Sequence, residues 1–159
     1  MAVIIEDDEE FTRDWDWYVV DQDGHLGHFA SAGMRTLPQS VKNDREATEL
    51  IARYFFEQAP VTGGWSVRAA AEKDCGGWER QGFERYVRDF ALMATKGLFS
   101  FDTDLVGGQQ ARYYLVAIPE KPLHISHLPL NIKQLVSRTT SSLRLSNCDY
   151  IAGHATEEW

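Results

Sequence analysis

The first clear pattern along the chain is a pair of short apolar runs on either side of a polar turn. Residues 17–20 read Trp-Tyr-Val-Val, residues 21–24 read Asp-Gln-Asp-Gly, and a second apolar run follows over residues 25–30. Aromatic and β-branched residues favour strands, and Gly24 can supply the positive φ that a tight turn requires. The pattern predicts a β-hairpin over residues 17–30.

Two longer segments, residues 43–58 and 78–96, place apolar side chains three and four positions apart. This spacing gathers the side chains on one face of a helix, so it predicts two amphipathic helices. Asn43 and Glu46 form a capping-box pattern at the start of the first helix, although Ser40 offers a start one turn earlier. The apolar positions are Ala47, Leu50, Ile51, Tyr54 and Phe55 in the first helix, and Phe83, Tyr86, Val87, Phe90, Ala91 and Ala94 in the second.

The remaining elements are shorter, and together they define the fold class. We predict strands over residues 65–70, 98–102 and 112–118, a short helix over 130–136, and an edge strand or irregular tail over 143–151. No internal repeat or low-complexity linker divides the chain. The prediction is a single α+β domain over residues 1–159, in which an antiparallel sheet with an N-terminal β-hairpin packs against two amphipathic helices. Residues 1–14 are a candidate mobile acidic segment of that domain.

Composition places the chain among ordinary globular proteins. Its 159 residues are 43% apolar and 25% charged, which excludes wholesale disorder. No run approaches the roughly 20 apolar residues that a membrane-spanning helix needs, and the acidic start lacks the basic region of a signal peptide. Cys75 and Cys148 form no CxxC pair, so neither a disulfide scaffold nor a thiolate zinc site is indicated. We therefore expect a cytoplasmic protein with reduced thiols.

Acidic charge is concentrated near the N-terminus. Seven of the 24 acidic residues fall within residues 6–16 against Arg13 alone, so this segment carries −6 of the net charge of −8. Such a block disfavours a nucleic-acid interface, because it repels phosphate, and it can steer a basic protein partner. The alternative is a solvated terminus, with the neighbouring tryptophans in the core of the first strand. Acids beside aromatic residues suit the rim and core of an interface, and the partner-binding candidates are Glu9, Glu10, Asp14, Trp15, Asp16 and Trp17.

The histidines raise the question of a metal site. His25 with His28, and His124 with His127, each form an HxxH pair. Residues i and i+3 on a strand point to opposite faces, so neither pair chelates zinc unless a turn reorients it. The turn that begins at Asp21 lacks the ligands that a calcium-binding EF-hand loop needs at its fifth and twelfth positions, and the glycine at its sixth. We expect no metal and no cofactor.

No motif of nucleophilic or phosphate-binding chemistry occurs in the sequence. The serines lie in no GxSxG elbow, and the paired glycines lie in no phosphate-binding loop. One alternative function is a small enzyme whose site combines Cys75 with a histidine, or His124 or His127 with a carboxylate. A further alternative is a structural or oligomerisation module that uses surplus aromatic side chains, such as Trp78, Phe99 and Trp159.

The hairpin and the residues after it resemble the opening of a group of small uncharacterised bacterial proteins. The stretch Trp-Tyr-Val-Val-Asp-Gln-Asp-Gly-His-Leu-Gly-His-Phe over residues 17–29 is followed by Ser-Ala-Gly at 31–33 and by Pro38. This order is similar to their W-[FY]-x-V-D-x-x-G hairpin, small-residue loop, proline and amphipathic helix. Some of these small acidic α+β proteins resemble immunity proteins, antitoxins that neutralise the toxins of neighbouring bacteria.

The leading hypothesis combines the charge pattern with this resemblance. We expect a non-enzymatic cytoplasmic module that binds a protein partner, with an immunity-type role in which its carboxylates meet a basic toxin groove. Trp15 or Trp17 would be the apolar anchor of that interface. No nucleic-acid partner and no membrane partner are expected.

Overall fold

The structure of the protein is a computed structural model that describes residues 2–68, 80–104 and 111–159. Some features of the sequence lie outside these residues and receive no structural description. They are Cys75, Trp78 and the glycine pairs at 76–77 and 107–108.

Six strands form one sheet. They are β1 (Asp16–Val20), β2 (Leu26–Ala30), β3 (Trp65–Val67), β4 (Phe99–Thr103), β5 (Arg112–Pro119) and β6 (Tyr150–Ala152). Their order is β1-β2-β4-β5-β3, and β6 also pairs with β5. Because β5 is the longest strand, its first residues pair with β6 and its last residues with β3, along the edge opposite β4.

The described helices surround this sheet. They are α1 (Asp7–Thr12), α2 (Gln39–Lys42), α3 (Arg45–Arg53), α4 (Arg80–Thr95) and α5 (Leu130–Val136), with a π-helical turn over Tyr54–Gln58 and 3₁₀ turns over Ile125–His127, Leu145–Asn147 and Gly153–Thr156. Among the residues that the structure describes, no helix has the length and apolar character needed to cross a membrane.

The predicted α+β class and the N-terminal β-hairpin are confirmed, but the sheet is not wholly antiparallel. Strands β2 and β4 run parallel, whereas the other pairs are antiparallel. A parallel pair needs a long crossover connection, and here the crossover contains α2, α3, β3 and α4. Hydrophobic periodicity shows that a segment is a strand, but it carries no information about the direction of pairing.

Several element boundaries differ from the predicted ones for local reasons. The first predicted helix divides into α3 and the π-helical turn, and the cap of α3 is Asp44, whose side chain accepts a hydrogen bond from the Ala47 amide at 3.0 Å. Ser40 lies in a separate short helix, α2. The acidic N-terminal segment contains α1, and the predicted tail over residues 143–151 contains a 3₁₀ turn and the start of β6.

One face of the sheet carries a stack of aromatic rings that crosses three strands. The ring centroid of Phe29 lies 4.4 Å from that of Trp17 and 4.6 Å from that of Phe101. Tyr113 on β5 and Trp159 near the chain end pack edge-on against Phe29. The side chains that cover this face come from segments outside the sheet: Ile5, Trp15, Leu37, Val41 and Leu145.

Helices α3, α4 and α5 and the π-helical turn cover the opposite face. Phe55 of the π-helical turn stacks on Tyr18 of β1 at 4.8 Å between ring centroids, and Val87 and Phe90 of α4 belong to the same buried cluster as Tyr114 of β5. Because both faces are covered, all five residues of β2 are buried. This explains why β1 and β2 read as nearly continuous apolar runs rather than as alternating ones.

The end of α4 depends on a glycine. Gly97 has φ +96°, and its carbonyl accepts a hydrogen bond from the Leu123 amide at 2.9 Å. A Cβ added here would lie 2.8 Å from the backbone nitrogen of Leu123. Gly97→Ala should therefore lower the free energy of unfolding by about 2–4 kcal/mol, measured by urea denaturation.

Gly63→Ala is the matched control, because a Cβ at Gly63 would meet only the flexible side chain of Lys121, at 3.2 Å. We expect the control to change stability by less than about 0.5 kcal/mol. Equal effects of the two substitutions would contradict this explanation of how α4 ends.

Candidate functional site

The acidic charge of α1 is partly neutralised within the protein by two cations, Lys42 and Arg45. Lys42 Nζ lies 2.7 Å from Asp7 Oδ1 and 2.9 Å from Glu10 Oε2, and Arg45 pairs with Glu9. The hydrogen bond from Lys42 holds the pKa of Asp7 below its usual value. Glu10 is only 2% exposed and also accepts a hydrogen bond from the Leu37 amide. Two predicted binding residues, Glu9 and Glu10, therefore hold α1 to the rest of the fold.

Trp15 and Trp17 belong to the core, as in the alternative that the sequence left open for them. Their exposed fractions are 2% and 0%. Trp15 Nε1 donates a hydrogen bond to the Glu9 carbonyl at 3.1 Å, and Trp17 Nε1 donates one to the Tyr113 hydroxyl at 3.4 Å. The outer ring face of Trp15 is covered by the Arg13 guanidinium, 4.0 Å from the ring centroid. Neither tryptophan offers an apolar surface to a partner.

The last two predicted residues, Asp14 and Asp16, are placed differently. Asp14 is exposed and accepts a hydrogen bond from the Ala32 amide at 2.7 Å, and the Asp16 side chain is 33% exposed. Asp89 of α4 is exposed as well. In the described ranges, neither lysine nor arginine forms an ion pair with Asp14, Asp16 or Asp89. We call these three residues the acidic face.

The carboxylates of this face act on one another and on a fourth acid, Asp102 of β4. Partial desolvation of its carboxylate raises the pKa of Asp14, and the charges of Asp16 and Asp89 raise it further, whereas the Ala32 amide and the charge of His28 oppose the change. Burial raises the pKa of Asp102, and the negative charge of Asp14 raises it further. A hydrogen bond from the Tyr86 hydroxyl opposes this increase. Negative charge here therefore has no lysine or arginine partner in the described part of the chain, and the basic side chain that contacts it is the His28 imidazole.

Behind the acidic face, a buried hydrogen-bonded chain links three strands. His28 Nε2 lies 2.7 Å from Asp16 Oδ1, and His28 Nδ1 lies 2.7 Å from Ser100 Oγ. We call these three residues the polar chain. The His28 ring is 1% exposed, and the aromatic rings of Tyr18, Phe56 and Phe90 surround it at centroid distances of 5.4, 6.2 and 6.0 Å.

The polar chain has the same three groups as the catalytic triad of serine hydrolases. In a hydrolase, however, the hydroxyl must reach the substrate carbonyl, and Ser100 is 0% exposed. The arrangement therefore satisfies buried polar groups and ties β1, β2 and β4 together. In the sequence His28 stands out as half of an HxxH pair, and that pair does not predict a buried hydrogen-bonded chain. The available signal was a histidine inside an otherwise apolar strand, where it needs buried partners.

The enzyme alternative rests on Cys75, His124 and His127, of which the structure describes the two histidines. Both lie near the hairpin turn, close to His25. The ring centroid of His124 lies 6.2 Å from that of His25 and 6.5 Å from that of His127. Cys148 is half-buried, and burial raises the pKa of its thiol, which opposes a nucleophilic role. Cys75 lies outside the described residues.

The residues proposed for an oligomeric interface are placed largely within the fold. Phe99 is 2% exposed, and the Trp159 ring packs 6.2 Å from that of Trp17. Trp78 lies outside the described residues. The two described aromatic side chains therefore serve the chain's own core, where they leave little area for a second copy.

Comparison of the chain with protein-family models, with curated proteins and with solved structures finds no match.

Ser100→Ala tests the structural role of the polar chain. The substitution leaves His28 Nδ1 buried without its partner, so the free energy of unfolding should fall by about 1–3 kcal/mol in chemical denaturation. Ser126→Ala removes a comparable serine–histidine contact, the one to His124 at 2.7 Å, from an exposed site. We expect that control to change stability by less than about 0.5 kcal/mol. An equally small change for Ser100→Ala would refute the role.

Proposed function

We propose that this protein is a non-enzymatic binding module that recognises a basic protein partner through its acidic face. The observation that carries the proposal is the contrast between two sets of acids. Glu9 and Glu10 are paired with cations of the same chain, whereas Asp14, Asp16 and Asp89 have no lysine or arginine partner among the described residues. Uncompensated charge of one sign attracts a partner of opposite charge and raises its association rate.

Apolar side chains border the acidic face and complete the pattern of an interface. Phe11 is 51% exposed and Met34 is 37% exposed. Their segments touch one another, because a Cβ at Gly33 would lie 3.4 Å from the Phe11 carbonyl oxygen, and the Ala32 amide in the same loop binds Asp14. Phe11 and Met34 thus take the role of apolar anchors that was predicted for Trp15 or Trp17.

The finer form of the proposal is an immunity-type role, in which the partner is a toxin with a basic groove. Its support is the resemblance of the hairpin, the small-residue loop and Pro38 to small bacterial immunity-like proteins, together with the acidic character of the chain. Carboxylates placed over a basic groove would block access to a toxin's substrate site. The cytoplasm is the compartment that this role requires.

The test uses the full chain as bait for affinity capture from its native lysate, at low and then moderate salt, with mass spectrometry. Wild type should retain one stoichiometric basic protein at low salt and lose part of it at moderate salt, because salt screens exposed charges. The double variant Asp14→Asn, Asp89→Asn should bind that protein at least tenfold more weakly in a titration of the purified pair. Asp16 is left intact because His28 depends on it.

Glu157→Gln with Glu158→Gln is the matched control, since it removes the same two charges from exposed positions near the chain end. This control should keep the wild-type affinity. Equal binding by the two double variants would contradict the acidic face as the recognition surface, and capture of no partner at either salt would contradict the binding function itself.

A further inference from the structure

The turn between β1 and β2 brings three potential metal ligands together. One ligand atom from each of Asp21, Asp23 and His25 lies within 4.8 Å of the other two. The turn has this shape because Asp21 Oδ1 accepts hydrogen bonds from the amides of Asp23 and His25, both at 2.9 Å. On a straight strand the three side chains would share one face but spread along it, whereas the turn curls them towards one point.

A second segment brings another imidazole to the same turn. His25 and His124 form an isolated antiparallel bridge, and the Ile125 amide donates a hydrogen bond to the Gly24 carbonyl at 2.8 Å. The rings of His25 and His124 lie 6.2 Å apart. The Ser126 hydroxyl lies 2.7 Å from Nδ1 of His124, so Nε2 is the nitrogen available to a ligand. This Nε2 lies beside Gly24, because a Cβ added at Gly24 would be 2.3 Å from it.

We propose that this turn binds one divalent transition-metal ion of the zinc class, with Asp21, Asp23 and His25 as ligands and His124 beside them. Imidazole nitrogen with carboxylate oxygen is a donor set that suits Zn²⁺, and zinc sites use three or four such ligands. A hard cation such as Ca²⁺ fits less well, because it prefers six to eight oxygen ligands. Asp21 holds the shape of the turn, since its Oδ2 also accepts a hydrogen bond from the Leu145 amide at 3.1 Å.

Arg144 competes with a metal ion for Asp23. Its Nε lies 2.7 Å from Asp23 Oδ2, and the two side chains are 49% and 35% exposed. An exposed ion pair contributes little free energy, so a metal ion can displace the guanidinium. This competition gives the proposal a distinctive consequence: loss of Arg144 should strengthen metal binding.

The test is calorimetric titration of ZnCl₂ into the metal-stripped full chain. Wild type should bind one Zn²⁺ per chain, and saturating Zn²⁺ should raise the melting temperature, because the ion binds the folded state. His25→Gln and Asp23→Asn should each weaken binding at least tenfold. Both side chains are partly or largely exposed, and circular dichroism of each variant verifies that it is folded.

Two further variants separate a built site from adventitious binding by surface histidines. Arg144→Gln should bind Zn²⁺ at least threefold more tightly than wild type. His154→Gln, which removes an exposed histidine from the 3₁₀ turn near the chain end, should bind as wild type does. The proposal is overturned by no binding to wild type, by equal losses in His25→Gln and His154→Gln, or by no gain in Arg144→Gln.

Discussion

The hydrogen-bonded chain from Asp16 through His28 to Ser100 is the constraint on which the rest of the structure depends. It places a histidine in the middle of a sheet whose two faces are both covered, where a polar side chain is tolerated only when its hydrogen bonds are made. His28 makes both. The two bonds cross from β2 to β1 on one side and to β4 on the other, so they fix the register of the parallel pair as well as that of the hairpin.

The same constraint determines which acids remain available to a partner. Asp16 is the first residue of β1 and lies at the surface end of the polar chain, and Asp14 lies two residues before that strand. Asp102 lies on β4, next to the strand that carries His28. The carboxylates meet here because of strand register, and the cations Lys42 and Arg45 are occupied with α1. The acidic face is thus a consequence of how the sheet is assembled.

Much of the fold could be predicted from the sequence, because it depends on local patterns. The 3.6-residue spacing located α3 and α4, and the polar turn between apolar runs located the hairpin. Pairing direction between β2 and β4 could not be predicted, since it depends on where a long crossover returns. The end of α4 near Gly97 could be predicted from the sequence, because a glycine with positive φ commonly follows the last turn of a helix.

The candidate site could be predicted only in part, and the reason is distance along the chain. Trp15 and Trp17 beside acids give the same pattern whether they anchor an interface or fill a core. Trp17 fills the core because it contacts Tyr113, which lies 96 residues away along the chain. The ion pair that removes Glu10 from the surface spans 32 residues. Of the proposed residues, Asp14 and Asp16 remain because no lysine or arginine reaches them from elsewhere in the described chain.

Titration of the aspartate carboxyl carbons by ¹³C NMR tests the uncompensated charge of the acidic face most directly. Asp14 and Asp102 should titrate above the ordinary aspartate pKa of 3.8, because burial and neighbouring carboxylates disfavour their charged forms. Asp44 should titrate below it, because the Ala47 amide and Arg138 stabilise its charge. If Asp14 and Asp102 instead titrate at or below the value of Asp44, a cation or solvent compensates them, and the acidic face is not what a basic partner would recognise.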